Sequence, residues 1–162
     1  MTESLIIIRR AGIGDAESIA QLFGNTINYV NSKDYSKREI EVWSSFAKDI
    51  DQWRSTIQEQ HFLVAEINNT IVGFSSITVN GYLDLMYTHY AFQRKGIASL
   101  LLKEIETTAR SLEVEEIDVL VSKTAVPFFT SKGYMSIEKI SKTIDGVEFI
   151  NDKMIKNLQR GH

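Results

Sequence analysis

Residues 83–101, LDLMYTHYAFQRKGIASLL, contain the junction that decides the fold of this 162-residue chain. Residues 81–88 have the pattern of a β-strand, and the apolar residues from Ile97 onward recur at the spacing of one helix face. A second dense apolar run at residues 116–121 indicates another strand. A strand–helix–strand unit of this kind predicts a right-handed crossover between parallel strands. It places residues 92–98 at the carboxyl end of a strand, where open α/β sheets bind their ligands.

Length and composition limit the class of protein. At 162 residues the chain is about one domain long, so we expect a single domain over residues 1–162. The longest apolar run near the start, Leu5 to Ile8, is too short for a signal peptide or a membrane span, which predicts a cytoplasmic protein with no membrane partner. The absence of cysteine excludes disulfides, and the three histidines do not have metal-ligand spacing. A net charge of −3 gives no reason to expect nucleic acid as a partner.

The remaining patterns predict an α/β chain of the α+β type, with a single mixed, mostly antiparallel sheet and helices on both faces. The predicted order is β-α-α-β-β-β-α-β-α-β-β. Two pairs that tolerate positive φ, Asn68-Asn69 and Asp145-Gly146, each join two strands as a hairpin. Asp15 and Ser36 are placed to cap the first two helices, and a short helix is expected over residues 51–58. The predicted strands span residues 5–10, 61–67, 70–79, 81–88, 116–121, 134–142 and 147–156, and the later helical patterns begin at residues 97 and 124.

Gly96 stands at the predicted start of a helix, behind Gln93, Arg94 and Lys95. The first amides of a helix have no acceptor within it, and the helix dipole adds partial positive charge there. A glycine lets the backbone approach an anion closely, the small Ala98 leaves room in the first turn, and the two cations add full charge. This combination suits a diphosphate. It also suits an ordinary exposed helix start, so the local pattern leaves both interpretations open.

Three stretches together resemble the GNAT superfamily of acyl-CoA-dependent N-acetyltransferases. QRKGIA, at residues 93–98, matches the family signature Q/R-x-x-G-x-G/A. LDLMYTHYAF, at residues 83–92, is similar to the family's fourth strand, and TAVPFFTSKGY, at residues 124–134, is similar to its late A-x-x-x-Y-x-x-x-G-F segment. The resemblance covers residues 8–158. The segments NTINYVNSKDYSKREIEVW, PFF and GVEFINDKMIKNL further resemble the bacterial YafP-type branch.

The resemblance implies that acetyl-CoA is the co-substrate, without a metal, and that its thioester lies between strands 81–88 and 116–121. A strand-edge amide near Met86 or Tyr87 would then polarise the thioester carbonyl. The amine attacks the thioester directly, without a covalent intermediate on the protein. The cofactor-binding residues implied by the resemblance are Met86, Tyr87, Thr88, Gln93, Arg94, Lys95, Gly96, Ile97, Ala98, Ser99, Ser122, Phe128 and Phe129.

The chain departs from the family pattern at the acid that protonates the departing thiolate. The tyrosine of the A-x-x-x-Y segment is Phe129 here, and an asparagine common in the family is Ser122. Phe129 cannot donate a proton, so either another group serves or the thiolate leaves unassisted. Tyr134, at the G-F position, is a candidate catalytic residue, although a packed aromatic ring is the more ordinary explanation.

Asp84 is the first candidate for the base that accepts the proton of the amine. We expect it to share one face of an alternating strand with Tyr82, Met86 and Thr88. A carboxylate inside a strand is less common than one on a helix surface, which motivates the assignment. A solvated or ion-paired aspartate explains the same residue, and Glu66 is a weaker candidate.

The resemblance implies that the acceptor binds where the first two helices meet, in NYVNSKDYSKREIEVW. Asn31, Tyr35 and Trp43 combine polar and aromatic groups that suit a cationic or aromatic amine. Trp43 also stands at helical spacing from Ile40, which is typical of a core residue.

The sequence therefore favours an acetyl-CoA-dependent N-acetyltransferase that acts on the amine of a small molecule. Two alternatives stay open. One is an acyl-CoA-binding regulatory protein with little turnover, which the loss of the tyrosine motivates, and the other is an acetyltransferase of a protein amine. The final strand pattern, VEFINDKMIK at residues 147–156, further allows a homodimer paired at a sheet edge.

Overall fold

A computed structural model describes residues 5–158, and these residues form one mixed sheet of seven strands with helices on both faces. The predicted fold class is confirmed. Three helices lie between the first two strands, whereas the predicted order counts two; the third lies where the sequence predicts a short helix, at residues 51–58. In chain order the elements are β1 Ile6–Arg10, α1 Ala16–Tyr29, α2 Lys37–Ser44, α3 Ile50–Glu59, β2 His61–Ile67, β3 Thr70–Ile77, β4 Tyr82–Thr88, α4 Ile97–Ser111, β5 Glu116–Val121, α5 Val126–Ser131, β6 Met135–Ile144 and β7 Val147–Asn157.

The predicted crossover stands at the centre of the sheet. The strand order is β1-β2-β3-β4-β5-β7-β6, and only β4 and β5, which α4 connects, run parallel among the described strands. The other neighbours are antiparallel, because most of them are joined by short turns. Asn68 (φ 50°), Asn69 (φ 65°) and Asp145 (φ 48°) take the left-handed conformation at the two predicted hairpins.

The helix starts follow the predicted caps in part. The Ser36 hydroxyl accepts a hydrogen bond from the Glu39 amide (3.1 Å), and the Glu39 carboxylate accepts one from the Ser36 amide (2.7 Å), so α2 begins with a capping box. Asp15 precedes α1 as predicted, but its side chain does not cap that helix. Its carboxylate instead accepts hydrogen bonds from Arg9 (2.9 Å) and from the Gly12 amide (2.8 Å), and the Arg9 guanidinium lowers the Asp15 pKa.

The core is divided by the sheet into two layers. Helices α1 and α3 pack on one face, here called the α1 face, against Phe62, Val64 and Phe74, which are fully buried. Helices α4 and α5 pack on the opposite α4 face, where Leu101 and Ile105 are fully buried. None of the helices in residues 5–158 is long and apolar enough to cross a membrane.

The final strand does not lie at the edge of the sheet. Strand β7 pairs with β5 on one side and with β6 on the other, so the expectation that residues 147–156 pair with a second subunit is wrong. The edge is β6, whose residues are nearly all exposed. The order of strands along the sheet differs from their order in the chain, and a hydrophobic pattern does not encode that order. A dimer paired through the sheet at this end would have to use β6.

Candidate active site

The sheet opens between its two parallel strands. Strands β4 and β5 pair only at Tyr82 with Asp118 and at Leu83 with Val119, within the part of the chain that the structure describes. Beyond these pairs the strands diverge, and a cavity of about 850 Å³ occupies the opening. The predicted site residues that line it are Asn31, Tyr35, Trp43, Asp84, Met86, Tyr87, Thr88, Gln93, Arg94, Gly96, Ile97, Ala98, Ser99, Ser122, Phe128 and Phe129.

Two backbone amides of β4 point toward this opening. The His89 amide donates to Val72 of β3 at 2.8 Å. Amides point alternately to the two sides of a strand, so the Tyr87 amide also faces β3, while the amides of Met86 and Thr88 face the diverging β5. Of the two amides named from the sequence, Met86 is therefore the one that a ligand in the opening can reach.

The loop before α4 combines two residues in the left-handed region. Arg94 has φ 62° and Gly96 has φ 81°, and a Cβ on Gly96 would meet no atom within 4 Å. The glycine is therefore required by the backbone conformation rather than by packing. A non-glycine residue such as Arg94 in this region costs about 1 kcal/mol or more, and such strain is concentrated at functional sites. The loop leaves the first amides of α4 facing open space.

Gln93 lines the cavity as the resemblance implies, although its side-chain amide bonds within the protein, whereas Lys95 does not line it. The Gln93 amide group donates to the carbonyl oxygens of Thr88 (2.8 Å) and His89 (3.2 Å), so its side chain holds the loop against the end of β4. The Thr88 carbonyl also accepts a hydrogen bond from the Thr26 hydroxyl at 3.0 Å. Lys95 is exposed and does not line the cavity.

The cavity has two walls of different chemistry. The α4 wall consists of Met86, Phe128 and Phe129 on the α4 face of the sheet, together with Arg94, Gly96, Ile97, Ala98 and Ser99 at the start of α4. The α1 wall lies on the α1 face or on the segments that cover it, and it consists of Tyr35, Trp43, Phe46, Trp53, Tyr82, Asp84, Tyr87 and Phe149.

Aromatic rings in contact form most of the α1 wall. Trp43 makes edge-to-face contacts with Tyr35 (5.1 Å between ring centroids) and with Phe149 (6.3 Å). The Tyr35 hydroxyl accepts a hydrogen bond from the Lys123 amide at 3.1 Å, which ties the segment before α2 to the end of β5. The Lys123 ammonium lies 4.4 Å from the centre of the Tyr35 ring. These contacts fix a rigid, half-buried aromatic surface across the opening.

The phenols of this wall stay protonated near neutral pH. Burial raises the pKa of Tyr35, and the neighbouring Asp34 and Glu39 carboxylates add smaller effects in the same direction. Burial, with the nearby Asp84 and Asp118 carboxylates, raises the pKa of Tyr82 to about 12. Burial likewise raises the pKa of Tyr87, against a hydrogen bond from Trp43. These hydroxyls therefore stay neutral, can donate hydrogen bonds, and are weaker acids than a free phenol.

Asp84 occupies a β-bulge, which the sequence pattern does not predict. Ser76 of β3 pairs with Leu85 and Ile77 pairs with Leu83, so Asp84 is the extra residue of β4. The bulge reverses the alternation of side chains along the strand. The sequence predicts that Asp84 shares a face with Met86 and Thr88, and the structure shows that it does not. Met86 packs on the α4 face, whereas Asp84 is exposed to the cavity from the α1 face.

Two further candidates lie away from the cavity. Tyr134 is buried and does not line it, and the Tyr134 hydroxyl donates to Glu106 at 2.9 Å. Burial raises the pKa of Tyr134, and Lys156 completes the cluster with a 3.1 Å ion pair to Glu106. Glu66 is ion-paired with Arg9 at 3.1 Å and does not line the cavity. Tyr134 and Glu66 are therefore both bound to other side chains, and neither faces the opening.

Phe129 is almost fully buried, although it lines the cavity. Its ring makes edge-to-face contacts with Phe128 (5.3 Å) and Tyr134 (5.2 Å). Ser122 lines the cavity beside it, and the Ser122 carbonyl accepts the amides of Ala125 and Val126 at the start of α5. No donor therefore projects from the position where the family pattern has a tyrosine.

Sequence reasoning missed several residues of the α1 wall. Phe46, Trp53 and Phe149 come from a turn, a helix and a strand that are far apart in the chain, and they meet only because the helices fold over one face. Each has an ordinary core pattern in the sequence, so no local signal could have found it. Gln60, the residue after α3, was also missed, and it contacts Asp84 at 2.8 Å.

The arrangement can bind an extended ligand through the opening, with an anion at the start of α4 and a polarisable carbonyl at Met86. Asp84 is a carboxylate on the opposite wall and can accept a proton. Asp49, the other carboxylate that lines the cavity, caps α3 by accepting a hydrogen bond from Gln52 at 3.2 Å. No group of three potential metal ligands occurs in residues 5–158.

Residues 31–156 match the family model of the acetyltransferase (GNAT) domain. The chain is 29% identical over 146 residues to the uncharacterized N-acetyltransferase YafP of Escherichia coli strain K12, an alignment that covers 90% of this chain and 92% of that protein.

Solved structures are similar over nearly the whole chain. One is a GCN5-related N-acetyltransferase from Rhodopseudomonas palustris, with 26% identity, a TM-score of 0.91 and coverage of 97% of this chain and 98% of that one. Another is the PaiA N-acetyltransferase of Thermoplasma acidophilum in complex with coenzyme A, with 21% identity, a TM-score of 0.79 and coverage of 94% and 99%.

Proposed function

The chain belongs to the GNAT family of acetyltransferases, and we propose that it transfers the acetyl group of acetyl-CoA to the amine of a small molecule. One observation carries the proposal: the strand opening brings Met86, the loop before α4 and the Asp84 carboxylate to the same cavity. The family match and the similarity to other N-acetyltransferases identify the chain as an N-acetyltransferase. The acceptor class and the roles of individual residues are proposed from the site.

The α4 wall is the proposed position of acetyl-CoA. The amides at the start of α4, with Arg94, bind the pyrophosphate, because unpaired amides and the helix dipole both favour an anion. The open space at Gly96 fits this role, since it leaves room for the phosphate groups. The pantetheine arm follows the edge of β4. The coenzyme A complex of the PaiA N-acetyltransferase supports this assignment by similarity of fold.

The amine is proposed to enter from the α1 wall. Tyr35, Trp43 and Phe149 offer rigid apolar surface of a size that suits a small molecule, and Asn31 lies beside them. Aromatic faces attract a cation, and the Asp84 carboxylate adds a full negative charge. A small cationic or aromatic amine fits this wall.

The reaction needs one bond to form, one to break and one proton to move. The amine nitrogen attacks the thioester carbonyl carbon while the Met86 amide donates to the carbonyl oxygen, on which negative charge develops. The nitrogen loses its proton to Asp84, and the carbon–sulfur bond breaks with its electron pair on sulfur. Phe129 offers no proton, so the thiolate is protonated by solvent. The three phenols of the α1 wall keep the site polar without competing with Asp84 for the proton.

The test is release of free thiol from acetyl-CoA with phenethylamine, tyramine, cyclohexylmethylamine, putrescine, glucosamine and a lysine-containing peptide. Acetyl-CoA affinity is measured in parallel by calorimetry. We expect binding, and turnover with at least one of the small amines. Turnover with the peptide alone would support transfer to a protein amine instead. Binding without any turnover would contradict the proposal and favour the regulatory alternative. The cytoplasmic location and the homodimer expected from the sequence stay predictions, and neither bears on this chemistry.

A further inference from the structure

Gln60 lies directly behind Asp84 and is fixed there by the backbone. It follows the last residue of α3, where the chain leaves the helix (φ −111°, ψ 165°), and it precedes the first residue of β2. Its amide still donates to Thr56 at 3.0 Å. Because regular structure begins on both sides of it, the position of this side chain relative to the sheet is well defined.

The side chain of Gln60 makes one hydrogen bond to the bulge. Its Nε2 donates to Oδ2 of Asp84 at 2.8 Å, across 24 positions of sequence. The orientation of the amide follows from chemistry, because the reverse would place two acceptors against each other. Within residues 5–158, no donor hydrogen-bonds to the other oxygen, Oδ1. One carboxylate oxygen is thus held from behind, and the other is left for a ligand in the cavity.

The carbonyl oxygen of the Gln60 side-chain amide has no hydrogen-bond partner. Gln60 Oε1 is buried and makes no hydrogen bond, and the Ser76 hydroxyl is in the same condition. These are the only buried side-chain polar atoms without a partner in the described part of the chain, and both belong to the bulge region, since Ser76 pairs with Leu85 next to Asp84. A buried acceptor without a partner destabilises the fold, whereas an apolar side chain of the same shape would not. The glutamine is therefore poorly explained by stability.

We propose that Gln60 is a positioning residue that holds the Asp84 carboxylate with Oδ1 toward the acceptor amine. The inference rests on the proposed role of Asp84 as base. A bulge re-aims a side chain but leaves its rotation open, and a fixed donor on one oxygen removes that freedom. Asp84 lines the same cavity as Tyr82 and Tyr87, and its carboxylate adds to the effect of burial in raising the pKa of both phenols. Gln60 acts only through Asp84 and does not touch the substrates.

The first test is Gln60→Met, which keeps the length of the side chain and removes the donor. We expect kcat to fall about tenfold, a part of the roughly 100-fold or more that a positioned base supplies. The affinity for acetyl-CoA is expected to stay unchanged. The melting temperature is expected to stay the same or to rise, because the substitution also removes the unpaired Oε1. Gln58→Met, at an exposed position in the last turn of α3, is the matched control and should change none of these values.

The decisive measurement is a double-mutant cycle with Asp84→Asn. If Gln60 acts through the carboxylate, Gln60→Met causes no further fall of kcat in the Asp84→Asn background, because interacting residues are not additive. The rates are measured with the best acceptor of the amine panel, and with acetyl-CoA hydrolysis if no amine reacts, since water must also lose a proton. An equal fall in both backgrounds overturns the proposal.

A second variant keeps the test independent of folding defects. Gln60→Glu has the same size but places a second carboxylate against Asp84, so it is expected to lower kcat as well. Retained kcat in either Gln60 variant, with Asp84→Asn impaired, overturns the positioning role and leaves the base assignment intact. Retained kcat in Asp84→Asn itself overturns the base assignment, and the role of Gln60 with it.

Discussion

The two walls of the cavity come from different parts of the chain, and they present different chemical groups: main-chain amides on one wall and side chains on the other. The part of the α4 wall at the start of α4 is main chain: the first amides of that helix and a loop with two left-handed residues, Arg94 and Gly96. The α1 wall is mostly side chains: the rings of Tyr35, Trp43 and Phe149 and the carboxylate of Asp84. A wall of amides suits a feature that every acyl-CoA shares, the pyrophosphate. A wall of side chains can change from one protein to the next, which is why we propose that the α1 wall selects the acceptor.

The largest expected effect comes from Gly96→Asp on the α4 wall. A side chain at φ 81° is strained, and a carboxylate would stand where the phosphate binds. We expect acetyl-CoA affinity, measured by calorimetry, to fall by at least about 100-fold. Gly146→Asp is the matched control, because Gly146 has a similar φ of 76° and equal open space but lies at the far hairpin. An unchanged affinity in Gly96→Asp would mean that the loop is only a helix start.

The corresponding change on the α1 wall is Asp84→Asn. We expect kcat to fall by about 100-fold or more, because a positioned base is worth that much, while acetyl-CoA affinity stays unchanged. Asp118→Asn, on the neighbouring β5, is the control, since Asp118 pairs with Tyr82 but does not line the cavity. If Asp84→Asn weakened acetyl-CoA binding instead, the proposed division of labour between the two walls would be wrong.

A smaller effect is expected from Phe129→Tyr, which restores the hydroxyl of the family pattern on the α4 wall. If the departing thiolate limits turnover, kcat rises by roughly threefold to tenfold, less than a fully positioned acid supplies. Phe128→Tyr, the adjacent residue of α5, serves as the control. A weaker affinity for acetyl-CoA without a gain in kcat would show instead that the Phe129 ring packs on the cofactor.

The smallest effect on the rate is expected from Tyr134→Phe, beyond both walls. The Tyr134 hydroxyl donates to Glu106 inside the core, so its loss should lower the free energy of unfolding by about 1–2 kcal/mol and leave kcat unchanged. Tyr29→Phe, at an exposed position, should change neither quantity. A fall of kcat in Tyr134→Phe, at full acetyl-CoA affinity, would restore this tyrosine as a candidate acid.

The sequence predicts most of the fold because its signals are local. The crossover around residues 81–121, the hairpin at Asn68-Asn69 and the cap at Ser36 each follow from neighbouring residues, and the structure contains all three. The position of β7 beside β5 was mispredicted, since strand order depends on pairing between distant segments. The bulge at Asp84 was missed for the same reason, because it exists only as a mismatch in register between β3 and β4.

What the sequence determined by itself is the loop and helix start of the α4 wall. A glycine with positive φ, a small first turn and a polar loop are properties of consecutive residues, and main-chain geometry follows from them directly. What only the tertiary structure decided is the α1 wall and the environment of Asp84. Trp43, Phe149 and Gln60 are ordinary residues in their own segments. Folding brings Trp43 and Phe149 to the cavity and Gln60 to Asp84. Side-chain contacts between distant segments depend on packing, and packing is settled by the whole chain at once.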